Sequence, residues 1–350
     1  MVCKFESIGM LADDLKTRIK KSGPLSFSEF VESCLYDSND GFYTKGGGAG
    51  RRGDFLTSPE VGPFFGFLIA NWLDETWRDL NKPENFQVVE VGAGSGALAR
   101  SIIDAKPKCL ENGIYTMVER SQKLREAQPT SDKLISTAKI PEVPLVGAVI
   151  ANELLDNLPF DLLEGDGEYW KEVRIGLVDD QFVETLIGER KEPVGVSPLK
   201  GARIPIQTQA IKWVESILEM IVAGSLLVID YGSTTQEMSQ RDQESWLRTF
   251  RKHSRGNNPL DDVGNQDLTV EVAIDQLPEG ALISTQKDFL KNQGIDNLVE
   301  EGRQTWREFS SVGDLKAVKA RSRVTEAEAL LDPMGLGGFF VLEWHLPSSD

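Results

Sequence analysis

Cysteine is scarce and scattered in this chain: Cys3, Cys34 and Cys109 are odd in number, widely spaced and without a CxxC pair. Neither a disulfide framework nor a zinc site is built that way, so no metal is expected and a reducing compartment fits. Long apolar runs are missing as well. No stretch reaches the roughly 18 residues that cross a bilayer, and the amino-terminal segment mixes Asp13 and Asp14 with its lysines and lacks an apolar targeting core. Membrane insertion and export are therefore not expected, and the expected location is cytoplasmic. Positive charge is in deficit. The 38 Lys and Arg against 55 Asp and Glu leave a net charge of −17, which argues against a nonspecific grip on nucleic acid or anionic membrane.

What is present is material for real cores: 40% of the 350 residues are hydrophobic and Trp occurs 7 times. That length allows one elaborated domain or two.

The most informative stretch runs from Gln87 to Leu98, QVVEVGAGSGAL. Val88, Val89 and Val91 form a β-branched run too short for a helix, and Gly92, Gly94 and Gly96 end it at positions that tolerate positive φ or close backbone approach. From Ala97 the residues favour helix, with Leu98, Ile102 and Ile103 at helical spacing. Open α/β sheets bind ligands at such a strand-to-helix turn. Bare N–H groups there would welcome a phosphate. Glu90, two residues before the first glycine, would repel one and could instead hold the ammonium of S-adenosylmethionine. The spacing Gly92, Gly94 and Ala97 also fits GxGxxA, so a dinucleotide stays open, as does a turn with no ligand.

Taken in order, the chain starts with an amphipathic helix over Ile8 to Lys21, broken at Gly23-Pro24. A capping box at Ser26 and Glu29 then opens a second helix to about Tyr36. Asp37 to Tyr43 and the glycine-rich Gly46 to Gly53 read as a mobile flap. After it comes GDFLTSPE, in which Thr57 or Ser58 can cap a helix with Pro59 first and Glu60 in its first turn. Capping accounts for Ser58, Pro59 and Glu60; Asp54 has no such structural reason.

Ile114 to Val118 reads as a second strand ending at Glu119, placed to accept both ribose hydroxyls of an adenosine, whether of a nucleotide or of S-adenosylmethionine. Leu134 to Ser136 is a third strand and Val146 to Ala151 a fourth, running into Asn152-Glu153-Leu154-Leu155-Asp156. Polar groups there supply acceptors for a nitrogen nucleophile, or else acids that complement a helix dipole. Glu168 to Leu177 and Gln181 to Leu186 alternate as a hairpin around Asp179-Asp180. A helix from Thr208 should stop at Gly224 and deliver Leu226 to Asp230 as the fifth strand. The next thirty residues hold a basic cluster, Arg241, Arg248, Arg251, Lys252, His253 and Arg255, read either as a solvated face or as an anchor for an acidic partner. Phe339 to Leu346 closes the sheet.

The blocks LYDSNDGFY, GDFLTSPEVGPFFG, VVEVGAGSGALA, MVERSQKLREAQ, ANELLDNLPF, LLVIDYG, QDLTVEV and DPMGLGGFFVLEW, in that order, resemble the MidA family of class I methyltransferases, whose mitochondrial members are complex I assembly factors that dimethylate an arginine of a partner subunit. The resemblance implies a cofactor role for Glu90, Gly92, Gly94, Gly96 and Glu119. It implies active-site positions for Asp54, Glu60, Asn152, Glu153 and Asp156, and for Thr57 on the cofactor side. It departs at Asp37, where relatives often have histidine, and in the block Asp267 to Ile274, where a family histidine and aspartate become Glu271 and Ala273.

The expected fold is α/β, a Rossmann-like class I methyltransferase sheet with an N-terminal helical extension and an inserted substrate-side subdomain. Residues 1–80 form the helical and flap region, 81–165 and 205–232 with 281–350 the core, and 166–204 and 233–280 the insertions. The expected function is S-adenosylmethionine-dependent methylation of an arginine in a partner protein, with a respiratory-complex subunit as the candidate. The alternatives are a non-catalytic assembly or interaction protein on the same fold, and an NAD-dependent oxidoreductase.

Overall fold

A computed structural model describes residues 10–47, 57–190, 195–251, 254–256, 258–309 and 315–347. Asp54, the flap residues Gly48 to Gly53, Lys252 and His253 lie outside the described residues. The chain divides into two compact units, one of Met1–Gly48, Leu155–Trp213 and Gly232–Leu277, the other of Ala49–Leu154, Val214–Tyr231 and Pro278–Asp350.

The second unit is built on a seven-stranded sheet. Its strands are β1 (Gln87–Val91), β2 (Ile114–Val118), β3 (Leu134–Thr137), β4 (Leu145–Asn152), β5 (Ile221–Asp230), β6 (Leu282–Thr285) and β7 (Phe340–Leu346), in the spatial order β6-β7-β5-β4-β1-β2-β3. The neighbours from β5 to β3 pair in parallel, whereas β7 runs antiparallel to both β5 and β6. Strand order reverses between β1 and β4, which makes the carboxyl ends of those two strands the place where a crevice forms. Both faces of the sheet are covered, so β1 and β5 read as near-continuous apolar runs. Phe65, Leu68, Ile69, Leu98, Ile102, Tyr115, Ile150, Leu227, Leu290 and Leu330 share one core here.

Two sequence expectations change in this unit. The helix that begins at Thr208 ends at Met220, and β5 starts at Ile221 and runs through Gly224. Gly224 faces Gly147 across the strands, and a Cβ on it would come 1.7 Å from the Gly147 carbonyl. The glycine is a point of close strand approach, where the sequence read it as a helix stop. Likewise the helix expected from Pro59 is broken in two, Ser58–Val61 and Pro63–Asp79, with Gly62 between them. Pro63 has no N–H to donate into a turn begun at Pro59, so it starts a new helix instead. Thr57 sits at the cap position of the first piece but makes no side-chain cap bond. The second piece is capped from far along the chain, by the Glu326 carboxylate accepting from the Phe64 N–H.

The first unit is largely antiparallel. Leu25–Ser26, Trp170–Val178, Asp161–Gly165 and Arg203–Ile206 pair in that order, with Gln181–Arg190 also on Trp170–Val178. The expected hairpin is there, and its turn residues Asp179 and Asp180 both take positive φ, 47° and 63°, the conformation of a type I′ turn. The capping box of Ser26 and Glu29 on the helix Phe27–Tyr36 also forms. A second sheet joins Ser254–Arg255, Leu247–Arg251 and Asp267–Val270. Phe27, Phe30, Leu35, Phe160, Val173, Trp246 and Val270 fill the core.

Candidate active site

At the carboxyl end of β1 the backbone turns through three left-handed glycines, Gly92, Gly94 and Gly96, with φ of 76°, 51° and 81°. The amides of Gly92 and Ala93 donate to the Val118 carbonyl, 3.0 and 3.1 Å away at the end of β2. Gly96 is packed tightly, since a Cβ would sit 2.9 Å from Pro129 Cδ and 3.0 Å from Met117 Sδ. Gly94 faces open space, with nothing within 4 Å of the same position. Its bareness leaves room for a ligand to approach the backbone.

Two carboxyl groups flank this turn. Glu119 leaves the end of β2 and its Oε2 accepts from the Gly94 N–H at 3.0 Å, while Oε1 accepts from the Ser121 N–H at 2.8 Å. Burial raises its pKa, and those backbone donors counter the rise. Glu90 lies within β1 and is 5% exposed. Its Oε2 accepts from the Tyr115 hydroxyl at 2.8 Å, and desolvation pushes its pKa up to about 8 against the lowering effect of that hydrogen bond.

Gln128 and Ser121 carry signals weaker than glycines and acids. Gln128 donates through Nε2 to the Gly94 carbonyl at 2.8 Å and accepts from Ser136 at 2.5 Å, tying the glycine turn to β3. The Ser121 hydroxyl, two residues beyond Glu119, is buried with no hydrogen-bond partner among the described residues. A buried hydroxyl without a partner is costly, and a ribose beside Glu119 would satisfy it.

The post-β4 residues lie on the same edge. Ala151 pairs with Val91 of β1 and Asn152 with Ile229 of β5, so Asn152 follows the register by which Gly92 leaves β1. Leu154 packs against the Gly92 position, 3.0 Å from where its Cβ would be. Glu153 takes a left-handed backbone conformation, φ 52°, with its N–H bonded to the Ile229 carbonyl at 2.8 Å. For a residue with a side chain that conformation costs about 1 kcal/mol, and such strain collects at functional sites. The Asn152 amide donates to Glu153 Oε1 at 3.2 Å, and the Asn152 Oδ1 is buried without a partner among the described residues. Thr57 precedes and Glu60 lies within the short helix Ser58–Val61, which packs on the helix Ala97–Ala105 that opens at Gly96. Ser58 is taken up structurally, bonding Gln286 at 2.9 Å.

Asp156 belongs to the first unit, in the buried turn Leu155–Asn157. There Asn157 and Tyr43 both donate to Asp267 Oδ1, at 3.2 and 3.1 Å. Burial first, then the charges of Asp267 and Asp156, raise the Tyr43 phenol. The positions that depart from the resembling family have local tasks in this unit. Asp37 accepts from the N–H groups of Asn39 and Asp40, fixing the turn before Tyr43. Glu271 receives Arg241 at 2.5 Å and Arg248 at 2.7 Å. Arg251 pairs with Asp262, and Arg255 donates to the Glu244 carbonyl. Four arginines of the basic cluster thus pair within the unit, and Arg241, Arg251 and Arg255 remain exposed, as the solvated-face reading expects.

This edge presents an open glycine turn, a carboxylate near a buried hydroxyl, and a buried acid. Rossmann-like topology and this edge together define a methyltransferase that uses S-adenosylmethionine. The family model described as "Putative S-adenosyl-L-methionine-dependent methyltransferase" matches residues 68–291. The chain belongs to that family. Curated relatives include "Protein arginine methyltransferase NDUFAF7 homolog, mitochondrial" of Drosophila melanogaster, 28% identical over 304 residues, covering 75% of this chain and 68% of that protein. The Homo sapiens protein named "Protein arginine methyltransferase NDUFAF7, mitochondrial" is 29% identical over 339 residues, covering 81% and 73%. A Burkholderia thailandensis protein solved bound to S-adenosyl-homocysteine superposes with a TM-score of 0.81 at 25% identity, over 97% of this chain and 92% of that one.

These findings set aside the dinucleotide alternative. They also overturn the cytoplasmic expectation, because the curated relatives are named mitochondrial. Scarce cysteine marks a reducing environment, and that property does not separate the cytoplasm from other reducing compartments.

Proposed function

We propose that the chain transfers methyl groups to an arginine of a partner protein, and that a respiratory-complex subunit is that partner. Support for the acceptor comes from the arginine methyltransferase names of the curated relatives. The observation that carries the reading is Glu153, an acid held in a strained left-handed conformation one residue past β4, beside the glycine turn. S-adenosylmethionine, when bound, supplies a methyl group on a positively charged sulfur. The chain's own residues must then orient a nitrogen and manage its proton. A guanidinium is protonated at neutral pH and attacks poorly. The Glu153 carboxylate would take two of its N–H groups side by side, fixing the plane and concentrating electron density on the third nitrogen. The proton lost after attack passes to the same carboxylate or to solvent. Asn152 holds Glu153 in place through its amide. Among the residues read from the sequence, Asp54, Glu60 and Asp156 remain candidates for catalysis, and Thr57 with Glu90, Gly92, Gly94, Gly96 and Glu119 for the cofactor.

The test is methylation of respiratory-complex subunits by the purified protein, read by mass spectrometry of their arginines, in the wild type and in Glu153→Gln. The variant should bind S-adenosylhomocysteine normally and lose transfer. Equal transfer by both proteins would remove Glu153 from the chemistry. Cofactor binding without methylation of any arginine would leave an assembly or interaction role.

A further inference from the structure

The proton balance of cofactor binding follows from how Glu90 is housed. Its side chain is buried in the middle of the sheet, with Met117 of β2 on one side and Ile150 of β4 on the other as backbone neighbours. Tyr115, fully buried two pairs earlier on β2, donates to one carboxyl oxygen, and among the described residues no second donor is seen on this group. The charged groups that act on it are Glu119 at the end of β2, which disfavours its ionisation, and Arg100 of the helix Ala97–Ala105, which favours it. Glu90 therefore sits near the glycine turn with one oxygen already engaged by a neutral hydroxyl.

We propose that Tyr115 is a positioning residue for cofactor capture: its hydroxyl fixes Glu90 so that the other carboxyl oxygen meets the ammonium of the ligand, and binding that cation expels the carboxyl proton to solvent. In balanced form, protonated Glu90 and the ammonium ligand give the carboxylate–ammonium pair plus one released proton. Without ligand the acid titrates at about 8, so it holds its proton at neutral pH and loses it only when a cation arrives. The hydroxyl matters twice. It stabilises the carboxylate once formed, and it prevents the side chain from turning away from the glycine turn.

Calorimetry in buffers of different ionisation enthalpy counts the protons. Uptake of S-adenosylhomocysteine, which carries the ammonium, should release about one proton near neutral pH, and its affinity should rise close to tenfold per pH unit below about pH 8. Uptake of 5′-methylthioadenosine, which lacks the amino-acid end, should release none. Glu90→Gln should abolish the release. Tyr115→Phe should weaken S-adenosylhomocysteine about tenfold, shift the levelling of affinity to higher pH, and leave 5′-methylthioadenosine unchanged, which also shows that the variant is folded. A merely structural tyrosine would weaken both ligands alike and leave the pH profile where it was. Proton-free uptake of S-adenosylhomocysteine with flat affinity from about pH 6.5 to about pH 8.5 overturns the proposal. Failure of the unaltered protein to bind S-adenosylhomocysteine at any pH would instead remove the cofactor assignment on which it rests.

Discussion

Two strands of the same sheet end side by side and solve the same turn differently. After β1 the chain bends through Gly92 at φ 76°, and after β4 it bends through Glu153 at φ 52°. At the first turn a side chain would press on Leu154, so glycine is the simple answer. At the second the chain keeps a glutamate and accepts a cost of about 1 kcal/mol. The first turn presents bare backbone, whereas the second presents a carboxylate. The difference teaches that a residue retained against its own backbone preference marks chemistry more sharply than one chosen to suit it.

The strongest way to break this comparison is to make the second turn like the first. Glu153→Gly should reduce arginine methylation by at least about 100-fold while the thermal midpoint stays level or rises, because the strained conformation is relieved; mass spectrometry and calorimetric unfolding read the two quantities. A variant that keeps its activity would make the strain incidental. Next in size, Glu119→Gln should weaken S-adenosylhomocysteine binding by about 10-fold or more, given hydrogen bonds to a charged acceptor of about 1.5–3 kcal/mol, with titration calorimetry as the measurement. A third effect is pH-dependent. The pKa of Glu90 lies at about 8 in the folded chain, above its unfolded value, so its contribution to stability is full at acid pH and is lost as pH rises toward 8. Urea unfolding of the cofactor-free protein should therefore show up to about 2 kcal/mol more decline from about pH 5.5 to about pH 7.5 than Glu90→Gln shows.

The smallest effects separate the glycines from one another. Gly96→Ala has both a left-handed φ and contacts with Pro129 and Met117 to violate, so it should lose about 1–3 kcal/mol. Gly94→Ala meets open space and should lose only about 1 kcal/mol from φ. Equal urea midpoints for the two would mean that packing around Gly96 yields freely.

The geometry of the glycine turn was legible because its requirements are local. Glycines at every second position after a β-branched run, and an acid at the end of the next strand, state their geometry in the letters themselves. β2 falls on the residues expected, and β4 within one residue at each end. Gln128 and Ser121 escaped because their roles depend on where a distant turn folds back. Gly224 was misread for the same reason: a glycine after a helical pattern signals a stop, and only the register against Gly147 shows a close pass between strands. The basic cluster is exposed at Arg241, Arg251 and Arg255, as a surface feature should be, but the pairing of Arg241 and Arg248 with Glu271, some twenty to thirty residues on, was not legible. The helices Ile295–Phe309 and Leu315–Leu331 were not read from the sequence.

The cap on the helix Pro63–Asp79 has a consequence for synthesis. Its carboxylate comes from Glu326, and the strand that covers one side of β5 is β7, both far along the chain from that helix. A ribosome-bound chain that has not yet supplied Glu326 and β7 would hold β5 with a bare edge and that helix with an open amino end. Long-range closures of this kind are slow. Nascent chains stalled before Glu326 should accordingly remain protease-sensitive across Pro63–Asp79 and gain protection once Glu326 and β7 are available, so this helix is late to become rigid.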